Sequence, residues 1–120
     1  MEPKGMTMKH NIDDLEPLAN KLTELAARCE AATGPDRELD ALIESAIPRF
    51  GLYRYTASID AAMTLVPEGW TWGVFDDGTA WVWPDERRDL LTGKQAKAAT
   101  PALALCAATL RARAQQEDEK

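Results

Sequence analysis

The stretch from Gly69 to Pro84, GWTWGVFDDGTAWVWP, restricts this chain more than any other. Large apolar residues alternate with smaller ones on both sides of Asp77-Gly78, and Asp-Gly between alternating runs is the strongest short signal for a β-hairpin. All four tryptophans of the chain lie in this stretch. Where they point depends on the turn. A two-residue turn at Asp77-Gly78 sets Trp72 against Trp83 and Val74 against Trp81, so that Trp70, Trp72, Val74, Trp81 and Trp83 share one face. A three-residue turn divides them between two faces, because side chains alternate along a strand.

A hairpin alone is marginal in water and has to be covered, and the flanking sequence supplies helices. Leu15, Leu18, Leu22, Leu25, Ala26 and Cys29 recur at helical spacing, predicting a first helix over about Leu15 to Ala32 with Asp13 or Asp14 as cap. Thr33-Gly34-Pro35 stops it and starts a second, over about Pro35 to Ile47, with Leu39, Leu42, Ile43, Ala46 and Ile47 as its stripe. Pro48 ends that helix. Residues 48–56 have no helical period and read as a structured loop or short edge strand. Ile59, Ala62, Met63 and Val66 then predict a short third helix behind Thr56 or Ser58, closed by Pro67. After the hairpin, charged Asp85 to Ala99 reads as a long loop, with a short third strand as the alternative. Thr100-Pro101 caps a last helix, whose apolar residues spread around much of its circumference and place it centrally in the core. The fold class expected is α+β: about four helices packed on a small antiparallel sheet built around the Trp-rich hairpin, an α/β sandwich.

At 120 residues the chain fits one domain, here 13–114, between a mobile tail over 1–12 and a frayed acidic C-terminus over 115–120. Met1 to His10 has no apolar h-region, and Pro101 to Leu110 is about half the roughly 20 residues that span a bilayer. No membrane role and a cytoplasmic location are expected. The formal charge of −6 opposes direct nucleic-acid binding, which needs clustered Lys and Arg, and suits docking onto a basic protein surface. Cys29 and Cys106 are the only cysteines, each on the apolar stripe of a predicted helix. They read as reduced core residues, with a Cys29–Cys106 disulfide as the alternative.

Catalytic constellations are sparse. His10 is the only histidine and lies in the tail, so a hydrolase triad would have to recruit a distant residue. Gly93-Lys94 is not a P-loop, because Arg88 and Gln95 stand where Gly and Ser or Thr are required. Zinc needs about four N or S ligands, and two core cysteines and one histidine do not supply them. Asp36, Glu38, Asp40 and Glu44 fit helix-end electrostatics and solvation better than an acid site. The expectation is a non-enzymatic chain with no cofactors or metal. Tyr53, Arg54 and Tyr55 combine interface-enriched residue types on a segment without core periodicity, and Trp70 stands at the strand entrance. These four are the candidate binding residues; Trp72, Trp81 and Trp83 are assigned to the core beneath the last helix.

The segments YTASIDAAMTLVPEGWTW, from Tyr55, and ATPALALCAATLRAR, from Ala99, resemble the small bacteriophage proteins grouped as the phage ABA sandwich domain. The resemblance extends over about Leu39 to Arg113 and leaves the first helix outside. Such relatives have a glycine-rich connection before the last helix, where this chain has charged Asp85 to Lys97. The resemblance implies an α/β sandwich of phage or prophage origin and brings no catalytic residues. The expected role is a phage accessory protein that binds a protein partner, inhibiting a host or defence component. The alternatives are a self-assembling structural protein, a homodimer through the sheet edge, and, ranked below it, an enzyme acting on a small metabolite.

Overall fold

The computed structural model describes residues 17–48, 53–86 and 93–118. Four helices, α1 (Leu18–Ala31), α2 (Arg37–Ala46), α3 (Ile59–Met63) and α4 (Pro101–Asp118), pack against an antiparallel sheet of β1 (Trp70–Val74), β2 (Thr79–Pro84) and β3 (Lys94–Lys97). Strand order follows chain order. The fold class is therefore α+β, as expected.

The layers are set by α4. Residues 102–110 are buried on every side, because the sheet lies against one flank of the helix and α1 against the other. This stretch is dense in alanine, and Ala104, Ala107, Ala108 and Ala112 are fully buried. Small residues let a helix axis approach its neighbours closely. The sheet answers with small residues of its own: Ala80, Val82 and Ala96 face α4 and are buried. Thr100 accepts a hydrogen bond from the Leu103 N–H at 3.1 Å and caps the helix. The helix continues to Asp118, into the stretch expected to fray.

Helix α1 packs Leu22, Leu25, Ala26 and Cys29 onto α4, the stripe expected from their spacing. The tie at its far end is a two-point ion pair, in which Arg111 donates to Glu30 at 3.1 and 2.6 Å. Helix α2 begins two residues later than its proline suggested. Asp36 is the cap and accepts from the Leu39 N–H at 3.0 Å, leaving Pro35 outside the helix. Helix α3 is shorter than predicted. Beyond Met63 the chain tightens, with Leu65 and Val66 N–H groups donating to carbonyls three residues back. That change of period buries Leu65 in place of Met63, which is exposed.

The hairpin turn contains three residues, Asp76, Asp77 and Gly78. The Phe75 N–H donates to the Thr79 carbonyl at 2.9 Å and the Gly78 N–H to the Phe75 carbonyl at 3.3 Å, with Gly78 at φ +91°. This is a turn followed by a left-handed glycine, which pairs Trp72 with Val82, Gly73 with Trp81 and Thr71 with Trp83. The two-residue alternative is thereby excluded, and the tryptophans do not share a face. The third strand left open by the sequence is present: β3 pairs along β2, Ala80 with Ala96 and Trp81 with Gln95.

Candidate functional site

Alternation along the strands sorts the sheet into two faces. Trp70, Trp72, Val74, Ala80, Val82 and Ala96 look inward to the helices. Thr71, Gly73, Phe75, Thr79, Trp81, Trp83, Gln95 and Lys97 look outward. Among the described residues no helix packs on the outer face. Phe75 is 48% exposed there, and Trp81 and Trp83 are half-buried.

Gly73 organises this patch. A Cβ placed on it would lie 3.7 Å from the Phe75 ring and 3.9 Å from the Trp83 ring, so both rings lean over the strand where no side chain stands. The Trp83 Nε1 is buried without a hydrogen-bond partner among the described residues. An indole N–H kept from water and left unpaired is costly. Carboxylates bracket the aromatics: Asp76 and Asp77 at the turn, Asp85 and Glu86 at the base, all exposed. Asp77 accepts from the Thr79 hydroxyl at 2.6 Å and its N–H at 3.1 Å. Those two bonds, with Lys97 nearby, hold the Asp77 carboxyl below the usual carboxylate range. At the other end Asp85 accepts from the Thr71 hydroxyl.

The four residues singled out from sequence are separated by the structure. Tyr53 and Arg54 are exposed. Tyr55 is 0% exposed, its hydroxyl donating to Glu44 at 2.6 Å, and so it is a core residue and not a contact surface. Trp70 is partly buried on the inner face against the core. The reason lies in the clasp formed by the next residue. Thr56 donates its N–H and hydroxyl to Asp40 Oδ1, both at 2.8 Å, and its hydroxyl accepts from the Asp36 N–H, also at 2.8 Å. This nails the segment to the start of α2 and pulls Tyr55 inward, leaving Tyr53 stacked at its edge with ring centroids 5.6 Å apart. Trp81 and Trp83, assigned to the core from sequence, are the outward pair. The signal that could have found them was the turn, since Asp-Asp-Gly fits a three-residue loop with glycine last.

Other places in the fold are less developed. A shallow groove between α1 and α2 is lined by Leu18, Lys21, Leu25, Arg28, Leu42 and Ala46. Among the described residues no three His, Cys, Asp or Glu side chains group as metal ligands. Cys29 and Cys106 are free and buried. The Cys106 thiol donates to the Tyr55 carbonyl at 3.2 Å, and its contact with the Cys29 thiol, together with burial, pushes it well above the ordinary thiol range. Among the described residues no helix is long and apolar enough to cross a membrane. No family model, curated protein or solved structure matches this chain.

Proposed function

We propose that this chain is a non-enzymatic, protein-binding accessory domain of phage or prophage origin, and that it engages its partner through the outer face of the sheet. The observation that carries the reading is the placement of Phe75, Trp81 and Trp83 outside while Ala80 and Val82 lie inside. Aromatics that reach the surface are enriched in binding hot spots. The bracketing carboxylates and the net charge of −6 suit a partner with an apolar patch ringed by Lys and Arg. Phage origin rests on the resemblance of the segments from Tyr55 and Ala99, and inhibition of a host or defence component is the role that origin suggests.

The test is a tagged capture from bacterial lysate, with and without phage infection, comparing the wild type with Phe75→Ser/Trp81→Ser and with Tyr53→Ala/Arg54→Ala. A saturable partner lost only with the first variant supports the outer face. Loss only with the second moves the site to the Tyr53 corner, and retention by both removes the proposal.

A second reading, self-association through a sheet edge, is favoured by one observation. Strand β1, at the rim of the sheet, has no charged residue, whereas β3 at the other rim begins and ends in lysine.

A further inference from the structure

A dimer joined at one particular edge, in one particular register, deepens the self-association reading and rests on it. The ladder shows which backbone groups of β1 are spoken for. The Phe75 N–H donates to Thr79 and the Asp85 N–H to the Gly69 carbonyl, so residues 69, 71, 73 and 75 turn their polar groups toward β2. Trp70, Trp72 and Val74 turn theirs to the rim, where no strand among the described residues pairs with them. The Trp70 N–H is taken by the Pro67 carbonyl at 3.2 Å. Trp72 and Val74 therefore present N–H and carbonyl groups to the rim from an uncharged strand without proline. Natural edges are blunted by charge or proline, and β3 follows that rule with Lys94 and Lys97.

We propose that two copies of this chain join through β1, antiparallel about a two-fold axis at Gly73, so that their two three-stranded sheets become one. In that register Trp72 opposes Val74 of the second copy, and every rim-facing N–H and carbonyl of these two residues finds its complement. The inner-face pairing is aromatic against β-branched, a favourable cross-strand combination. On the outer face Gly73 meets Gly73 of the second copy, and the Phe75 and Trp83 rings that lean over each glycine become neighbours in one aromatic surface. Charge permits this register and opposes the one with its axis at Trp72. Asp76 lies across from Trp70 and Glu68 across from Gly78. Moving the axis to Trp72 would set Glu68 against Asp76 and would ask the occupied Trp70 N–H for a bond.

Gly73→Lys and Gly73→Ala separate charge from bulk. A Cβ at this position meets its neighbours only at ordinary contact distance, so Gly73→Ala fits the monomer, and circular dichroism checks that Gly73→Lys still folds. In the dimer, residues at position 73 form a non-hydrogen-bonded pair with Cα atoms about 4.5 Å apart, where two lysines repel. The experiment is sedimentation equilibrium of the pure full chain across a concentration series, with amide exchange read by NMR at its two ends. Expected are a wild-type dimer, a Gly73→Ala dimer within about threefold of it, and at least about tenfold weaker association for Gly73→Lys. Trp72 and Val74 amides should gain protection as concentration rises, and Gln95 and Lys97 should not. A strict monomer overturns both this proposal and the self-association reading. A dimer that protects other amides, or that Gly73→Lys leaves intact while folded by circular dichroism, overturns only the β1 register. Should Gly73→Lys fail to fold, the wild-type exchange pattern decides alone.

Discussion

The two faces of β2 invert the usual distribution of size. Its inward residues, Ala80 and Val82, are small and fully buried, whereas outward Trp81 and Trp83 are the largest side chains available and stay partly exposed. Hydrophobic burial taken residue by residue would favour the opposite arrangement, since a buried aromatic removes far more area from water. The inversion teaches that packing of the whole layer decides. Alanine-rich α4 meets small residues of β2 and β3, Ala80, Val82 and Ala96, and the two tryptophans of β2 take the other side. Aromatic area left there is not needed to close the core.

That contrast can be broken most forcefully at neighbouring positions. Val82→Asp buries an unpaired carboxylate under α4 and should cost at least about 4 kcal/mol, a large share of a small domain's stability. Urea denaturation should find it largely unfolded, while Trp81→Asp, one residue along, keeps a cooperative transition. Equal damage from both would mean that the outer face is as much core as the inner. A subtler probe is Ala80→Leu, which adds bulk where α4 lies closest. Overpacking of this kind should cost about 2 kcal/mol, seen as a lower denaturation midpoint at unchanged slope. A stability gain would show room beneath α4 that the close approach denies. The smallest effect belongs to Phe75→Ser, exposed at the strand end. Its stability should change by no more than about 0.5 kcal/mol, so that any loss of partner binding reports on the surface itself.

Much of the fold was legible in the sequence because it rests on local signals. The helical stripes of α1 and α2, the Ser58 and Thr100 caps, and the hairpin all follow from spacing and turn chemistry. The failures came where a long-range contact chose between local options. Asp-Gly within Asp76-Asp77-Gly78 satisfies two turn lengths, and the choice between them decides which way Trp81 and Trp83 face. Strand β3 has the composition of a loop, Lys-Gln-Ala-Lys, and becomes a strand because β2 offers a free side and Ala96 fits beneath α4. Tyr55 looked like a surface residue because its segment lacks a period. Its burial depends on Thr56 reaching Asp36 and Asp40, residues 20 and 16 positions away. The outer aromatic face was thus written in the sequence as residue types but not as an orientation.

The central position of α4 has a temporal side. It is the last of the described elements to be synthesised, yet α1, α3 and all three strands pack on it. On the ribosome, α1 and the hairpin emerge without the helix they pack against, and those apolar faces stay open until α4 has left the exit tunnel. A chain interrupted before Pro101 is therefore expected to lack a stable core. Such a product is expected to be open to the cell's proteases along its whole length, so the last helix decides whether the rest of the chain is protected.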